Sequence, residues 1–174
     1  MGLAMTSLTA NANGKHTISV GYAQSKFLSE EDKDIKAPKG ANAKYRYEIN
    51  EKLGIVSSLT RTSLKYTLTD HNDKYSHDFE HTSFMAGPSY RFNEYVSAYA
   101  LLGAAYGKAS GEFTEHHAYG YTQGRFEETA TAAAYGAGVQ FNPIPNVAID
   151  VSYEYTKLDE AKLGTFVFGI GYRF

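Results

Sequence analysis

The stretch LGTFVFGIGYRF, Leu163 to Phe174, decides the fold. Every second side chain is large and apolar (Phe166, Phe168, Ile170, Tyr172, Phe174), while Thr165, Val167, Gly169, Gly171 and Arg173 fill the places between. Strict period-two alternation defines a β-strand with two unlike faces. An apolar face opposite one that holds threonine, glycines and an arginine is the pattern of a strand with lipid on one side and a polar barrel interior on the other.

The same alternation recurs upstream and predicts eight strands of about nine or more residues, the length a tilted strand needs to cross a bilayer. They are Thr17 to Lys26, Gly40 to Ile49, Leu53 to Tyr66, Thr82 to Phe92, Tyr95 to Lys108, Thr131 to Phe141, Val147 to Lys157 and the final stretch. Val147 to Lys157 is the cleanest, with Val147, Ile149, Val151, Tyr153 and Tyr155 opposed to Ala148, Asp150, Ser152, Glu154 and Thr156. The fifth strand is ambiguous because Leu101 and Leu102 are both apolar; the expected outward set is Val96, Ala98, Ala100, Leu102, Ala104 and Tyr106. Tight turns at 50–52, 93–94 and 142–146 alternate with longer polar segments at about 27–39, 67–81, 109–130 and 158–162. Short periplasmic turns and long extracellular loops distinguish the two ends of an outer-membrane barrel, and eight strands put both termini on the periplasmic side. Open edges in lipid would leave backbone groups unsatisfied, so the sheet must close.

The expected fold is therefore all-β: an eight-stranded antiparallel transmembrane β-barrel, one domain over 13–174. Its inward set holds four cations, Lys44, Arg46, Arg91 and Arg173, against three anions, Glu48, Asp150 and Glu154, a lumen charge network whose members can pair across the interior, because unpaired buried charges are very costly. Eight strands leave room only for side chains, so a filled polar lumen without a pore is expected.

Composition narrows the rest. The 174 residues contain 15 Tyr and 10 Phe but no Trp and no Cys. Tyrosine suits membrane interfaces, and the missing cysteine removes disulfides and thiolate metal sites. No run approaches the roughly 18 apolar residues of a membrane-spanning helix, while a mean hydropathy of −0.41 is compatible with strands whose alternate residues face lipid. A formal charge of −2 argues against nucleic acid. Residues 1–12, with Ala10-Asn11-Ala12 as an A-x-A-type site, read as a signal-peptide remnant or a tag.

Five of the six histidines (His71, His77, His81, His116, His117) fall in the second and third polar segments, and the expectation is a solvated loop without metal. No nucleophile elbow, phosphate loop or glycosidase-like carboxylate pair is present, so neither catalysis nor a cofactor is expected. A PagP-like acyltransferase would begin with an amphipathic helix, and a lipocalin-like carrier would need an apolar interior.

The segments KYRYE (Lys44 to Glu48), AGPSYRFNEYVS (Ala86 to Ser97), YGAGVQFNPIPNVAIDVSYEYTKLD (Tyr135 to Asp159) and the GIGYRF ending resemble the Ail/OmpX/Lom family of small outer-membrane proteins. The terminal aromatic likewise resembles the C-terminal signal read by the outer-membrane barrel assembly machinery. The resemblance implies a surface protein that attaches to host cells and to matrix proteins such as fibronectin and laminin, and that recruits complement regulators for serum resistance. An OmpX-like structural or stress-response barrel is the other member type it allows.

The family's binding activities lie in extracellular loops, and these differ here (SEEDKDIK, TDHNDKYSHDFEH, GEFTEHHAYGYTQGRFEET), so no loop residue is carried over individually. Exposed aromatics and arginine dominate interface hot spots, which makes Phe79, Phe113, Tyr119, Tyr121, Arg125 and Phe126 the expected partner-binding anchors. Extending each outward phase upward puts Lys26, Arg61, Lys65, Lys108 and Lys157 in a lipid-facing belt at the height of lipopolysaccharide phosphates, with stems lying along apolar surface.

Overall fold

The computed structural model describes residues 14–28, 36–70, 73–159 and 161–174. Residues 1–12, His71 and most of the first polar segment lie outside the described residues. Eight strands follow one another: β1 (His16–Phe27), β2 (Lys39–Glu48), β3 (Leu53–Asp70), β4 (Asp73–Arg91), β5 (Val96–His117), β6 (Gly120–Ile144), β7 (Val147–Leu158) and β8 (Ala161–Arg173). Each pairs antiparallel with the next, and β1 closes on β8 from Thr17↔Arg173 to Phe27↔Leu163, giving a closed barrel.

The two faces separate as the alternation requires. On β5 the ambiguity resolves: Leu101 is 3% exposed in the lumen, while Leu102 is 69% exposed on the lipid face. Val20, Phe84, Phe166, Phe168 and Ile170 share that outer face. Pro88 also faces outward, and the β4–β5 ladder skips residues 87–88, as expected of a residue without an N–H.

The first two short turns are built by asparagine. Asn50 Oδ1 accepts from the N–H groups of Lys52 and Leu53 at 2.9 and 2.8 Å, and Asn93 Oδ1 accepts from Tyr95 and Val96 at 2.8 and 2.9 Å. These side chains satisfy the donors that a reversal leaves open. The third turn narrows to Pro145-Asn146, because β6 continues to Ile144 past a register shift.

At the other end the strands outrun the sequence reading. Residues 67–81 and 109–130, expected as loops, are largely ladder: β3–β4 pairing reaches Asp70↔Asp73, and β5–β6 pairing reaches His117↔Gly120. Segment 158–162 is a tight turn at Asp159, whose φ of 51° lies in the left-handed region that aspartate tolerates. Pairing of β2 with β3 stops at Lys39↔Ser63, and that of β6 with β7 stops at Ala134↔Thr156. A four-stranded sheet of β3–β6 therefore rises above the rim on one side, by about 30 Å of strand from Lys108 onward at roughly 3.3 Å per residue.

Candidate functional site

In the periplasmic half of the lumen, Glu48 is the hub. Its carboxylate accepts from Arg91 Nη2, from Arg91 Nε at 3.1 Å and from Arg173 Nη2 at 2.7 Å, with Arg46 Nε 3.6 Å away. Arg46 Nη1 donates to Ser97 Oγ. One storey higher, Lys44 Nζ donates to Asp150 at 2.7 Å and Ser152 at 2.9 Å, and the Tyr99 hydroxyl lies 2.8 Å from both Asp150 oxygens. Glu154 accepts from the hydroxyls of Ser58, Thr60 and Ser83 at 3.2, 2.8 and 3.1 Å. All seven inward charges thus enter one interior built from β2, β4, β7 and β8.

The extracellular end of the lumen is different in kind. Pro38, Leu64, Leu158 and Leu163 are buried there, above Met85, Ala105, Ala134 and Val167. A filled polar lumen is thus capped by an apolar storey. His81, read above as a solvated loop histidine, is 2% exposed at this level, and neither ring nitrogen has a hydrogen-bond partner among the described residues. The reason is phase: two residues below it Ser83 is buried, so His81 continues the inward set.

All five belt cations project from the outer phase, but their surroundings split in two. On the tall side Arg61 meets Glu80 at 3.3 Å, Lys65 meets Asp78 at 3.8 Å and Lys108 meets Glu127 at 3.0 Å. On the short side Lys26 and Lys157 have no ion-pair partner among the described residues. Two further lysines belong with them. Lys162 is directly opposite Lys157 on the β7–β8 ladder, and Lys39 is opposite Gln24 on the β1–β2 ladder; both are exposed in the outer phase. The sequence reading missed both by assigning them to loops, although each has the outer parity of its strand.

The expected anchors also divide. Phe79 and Phe113 point inward. Phe79 meets Phe27 edge to face over the barrel mouth, centroids 5.3 Å apart, and Phe113 covers Gly124, where an added Cβ would fall on its ring at 2.1 Å. Phe126 covers Gly111 in the same way, with a Cβ contact of 2.2 Å, and meets His77 at 5.9 Å. These cross-strand ring-on-glycine pairs cover both glycines and tie the two strands of the hairpin together. Arg125 is committed on the outer face to Glu127 at 3.7 Å and Glu112 at 4.0 Å. Of these six, Tyr119, fully exposed, and Tyr121, 65% exposed, present their rings at the tip.

A closed barrel with an aromatic lipid-facing surface, a polar lumen of interacting charges and an extracellular sheet defines an integral protein of the bacterial outer membrane. The family model described as "Enterobacterial Ail/Lom protein" matches residues 1–174, and the chain belongs to that family. It is 44% identical over 173 residues to the attachment invasion locus protein of Yersinia pseudotuberculosis serotype I (strain IP32953), covering 99% of this chain and 91% of the relative. It is 37% identical over 175 residues to outer membrane protein X of Escherichia coli (strain K12), covering 99% and 92%. Among solved structures, Ail of Yersinia pestis in complex with the heparin analogue sucrose octasulfate superposes with a TM-score of 0.79 at 45% identity, covering 92% of this chain and 98% of that one.

Proposed function

We propose that this protein attaches the bacterium to host surfaces through the tip of its extracellular sheet and acts without catalysis. The observation that carries the reading is the exposed pair Tyr119 and Tyr121, the first in the turn that closes the β5–β6 hairpin and the second on its ladder, which is continuous down into the barrel wall. Large apolar rings in water are a cost unless a partner covers them, and a rigid support limits the entropy lost when it does. Its membership beside attachment and invasion proteins supports the same reading. Fibronectin, laminin and complement regulators are the partner types to test. A sulfated glycan of the kind bound by the Yersinia pestis relative is less favoured by charge: residues 64–81 and 108–130 carry eight acidic and four basic side chains.

Expression on the surface of a non-adherent, serum-sensitive strain should confer binding to epithelial cells and survival in serum. Replacing both tip tyrosines (Y119A, Y121A) should reduce attachment roughly fivefold or more, the scale of losing about 1 kcal/mol or more of hot-spot contact. A strain that gains neither property would favour the OmpX-like structural role instead.

Lys26, Lys39, Lys157 and Lys162 form a cationic surface across β7, β8, β1 and β2, where lipopolysaccharide phosphates would be met by charge-assisted contacts. The cations of the tall side already face carboxylates. The variant K26Q/K39Q/K157Q/K162Q should lose the thermal shift that added lipopolysaccharide gives the wild type, whereas R61Q/K65Q/K108Q should keep it. Equal loss in the two variants would restore a ring-shaped belt.

A further inference from the structure

A cleft of about 240 Å³ opens at the foot of the extracellular sheet, where β6 parts from β7. Phe79, Gly107, Ala130 and Leu158 give it an apolar wall, and Glu128 and Asp159 stand among its lining residues. Neither carboxylate has an ion-pair partner among the described residues, in contrast to Glu80, Asp78 and Glu127, each of which faces a cation. The volume is below the roughly 300 Å³ at which drug-sized ligand pockets begin, and it suits a single long side chain.

The cleft adjoins a free strand edge. Residues 120–133 of β6 pair with β5 alone. Thr156 Oγ1 donates to the Ala133 carbonyl across the gap at 3.2 Å, so the backbone groups of Ala133 face the open side. Because the N–H and C=O of one strand residue point the same way, those of Thr131, Thr129 and Glu127 face it too. A strand added there would send alternate side chains over the inner face of the sheet, the face onto which the cleft opens.

From these observations we propose that the cleft receives a lysine or arginine side chain from an extended segment of a partner protein, which lengthens the extracellular sheet along β6. The aliphatic stem lies against Leu158, Ala130 and Phe79 while the cationic head reaches Glu128 and Asp159. The acidic excess of the sheet draws the same class of partner. The proposal deepens the attachment reading and rests on it, naming the chemistry that the sheet selects.

The test uses the full-length protein in lipid nanodiscs and a fluorescent, end-blocked nonapeptide of alternating threonine and valine with a central lysine, followed by anisotropy. The lysine peptide should bind about tenfold more tightly than its norleucine counterpart, the worth of one charge-assisted contact, and a central glutamate should bind weakest. In E128Q/D159N the preference for lysine over norleucine should vanish while residual binding persists. In T131P, which removes an edge donor, all three peptides should lose binding, with the barrel verified as folded by its heat-modifiable mobility. Absence of peptide binding, equal affinity for lysine and norleucine, or a preference that survives E128Q/D159N would overturn the cleft assignment, and full binding to T131P would overturn strand addition. Attachment retained by the tip-tyrosine variant with the lysine preference intact would overturn the attachment reading alone, whereas attachment lost there without any lysine preference in the wild type would overturn this proposal alone.

Discussion

Glu48→Ala should cost about 3–5 kcal/mol of unfolding free energy, the range for removing one partner of a buried charge cluster. It would leave Arg46, Arg91 and Arg173 together in a site where the side chains of Arg46 and Arg91 are 3% and 7% exposed. Reversible urea unfolding in lipid vesicles measures the effect. The contrasting variant is K44M/D150L, which takes out both members of a pair and releases Ser152 from Lys44 and Tyr99 from Asp150. Its cost should be much smaller, because replacing a buried pair by apolar side chains of similar size removes the desolvation penalty with the attraction. A loss below 1 kcal/mol for Glu48→Ala would mean that solvent, rather than Glu48, compensates the arginines.

Leu102→Arg should cost about 2–4 kcal/mol, the penalty for a guanidinium on the lipid face near the bilayer midplane. Leu102 projects outward from the middle of the membrane-crossing part of β5, opposite Ala86 and Tyr135. The same change moved outward to Tyr106, nearer the cationic rim, should cost only ~1 kcal/mol or less, since the penalty falls toward the interface. Folding yields into vesicles of defined thickness would check both. If the two substitutions cost the same, the assigned height of β5 in the bilayer is wrong.

The barrel was legible because lipid on one face and packed polar groups on the other impose maximal contrast on alternate residues, as in Val147 to Lys157 and Phe166 to Phe174. Leu101 and Leu102 blurred that contrast, since the lumen wall beside Met85 and Ala134 is itself apolar. Above the rim neither face meets lipid, and the contrast fades: Ala109-Ser-Gly-Glu-Phe113 reads as a loop, yet it is strand because the register set inside the membrane propagates upward. The phase itself carried the missing information. The parity that put Lys65 and Lys108 outside also puts Phe79 and Phe113 inside, and applied to 39 and 162 it recovers the two lysines of the short side. What no periodicity reveals is the acceptor of each cation, such as Glu80 for Arg61, because cross-strand partners depend on register between segments far apart in the chain.

The hub at Glu48 ties the order of assembly to the ends of the chain. Glu48 and Arg46 lie on β2, Arg91 on β4 and Arg173 at the end of β8. A sheet whose last strand has not docked holds the Glu48 carboxylate without Arg173, and the ladder that seals β1 to β8 brings that residue in, paired with Thr17. Completing the cluster and sealing the wall thus coincide. An unsealed intermediate retains its polar interior beside lipid, at a free-energy disadvantage that drives the final strand home and then holds it there.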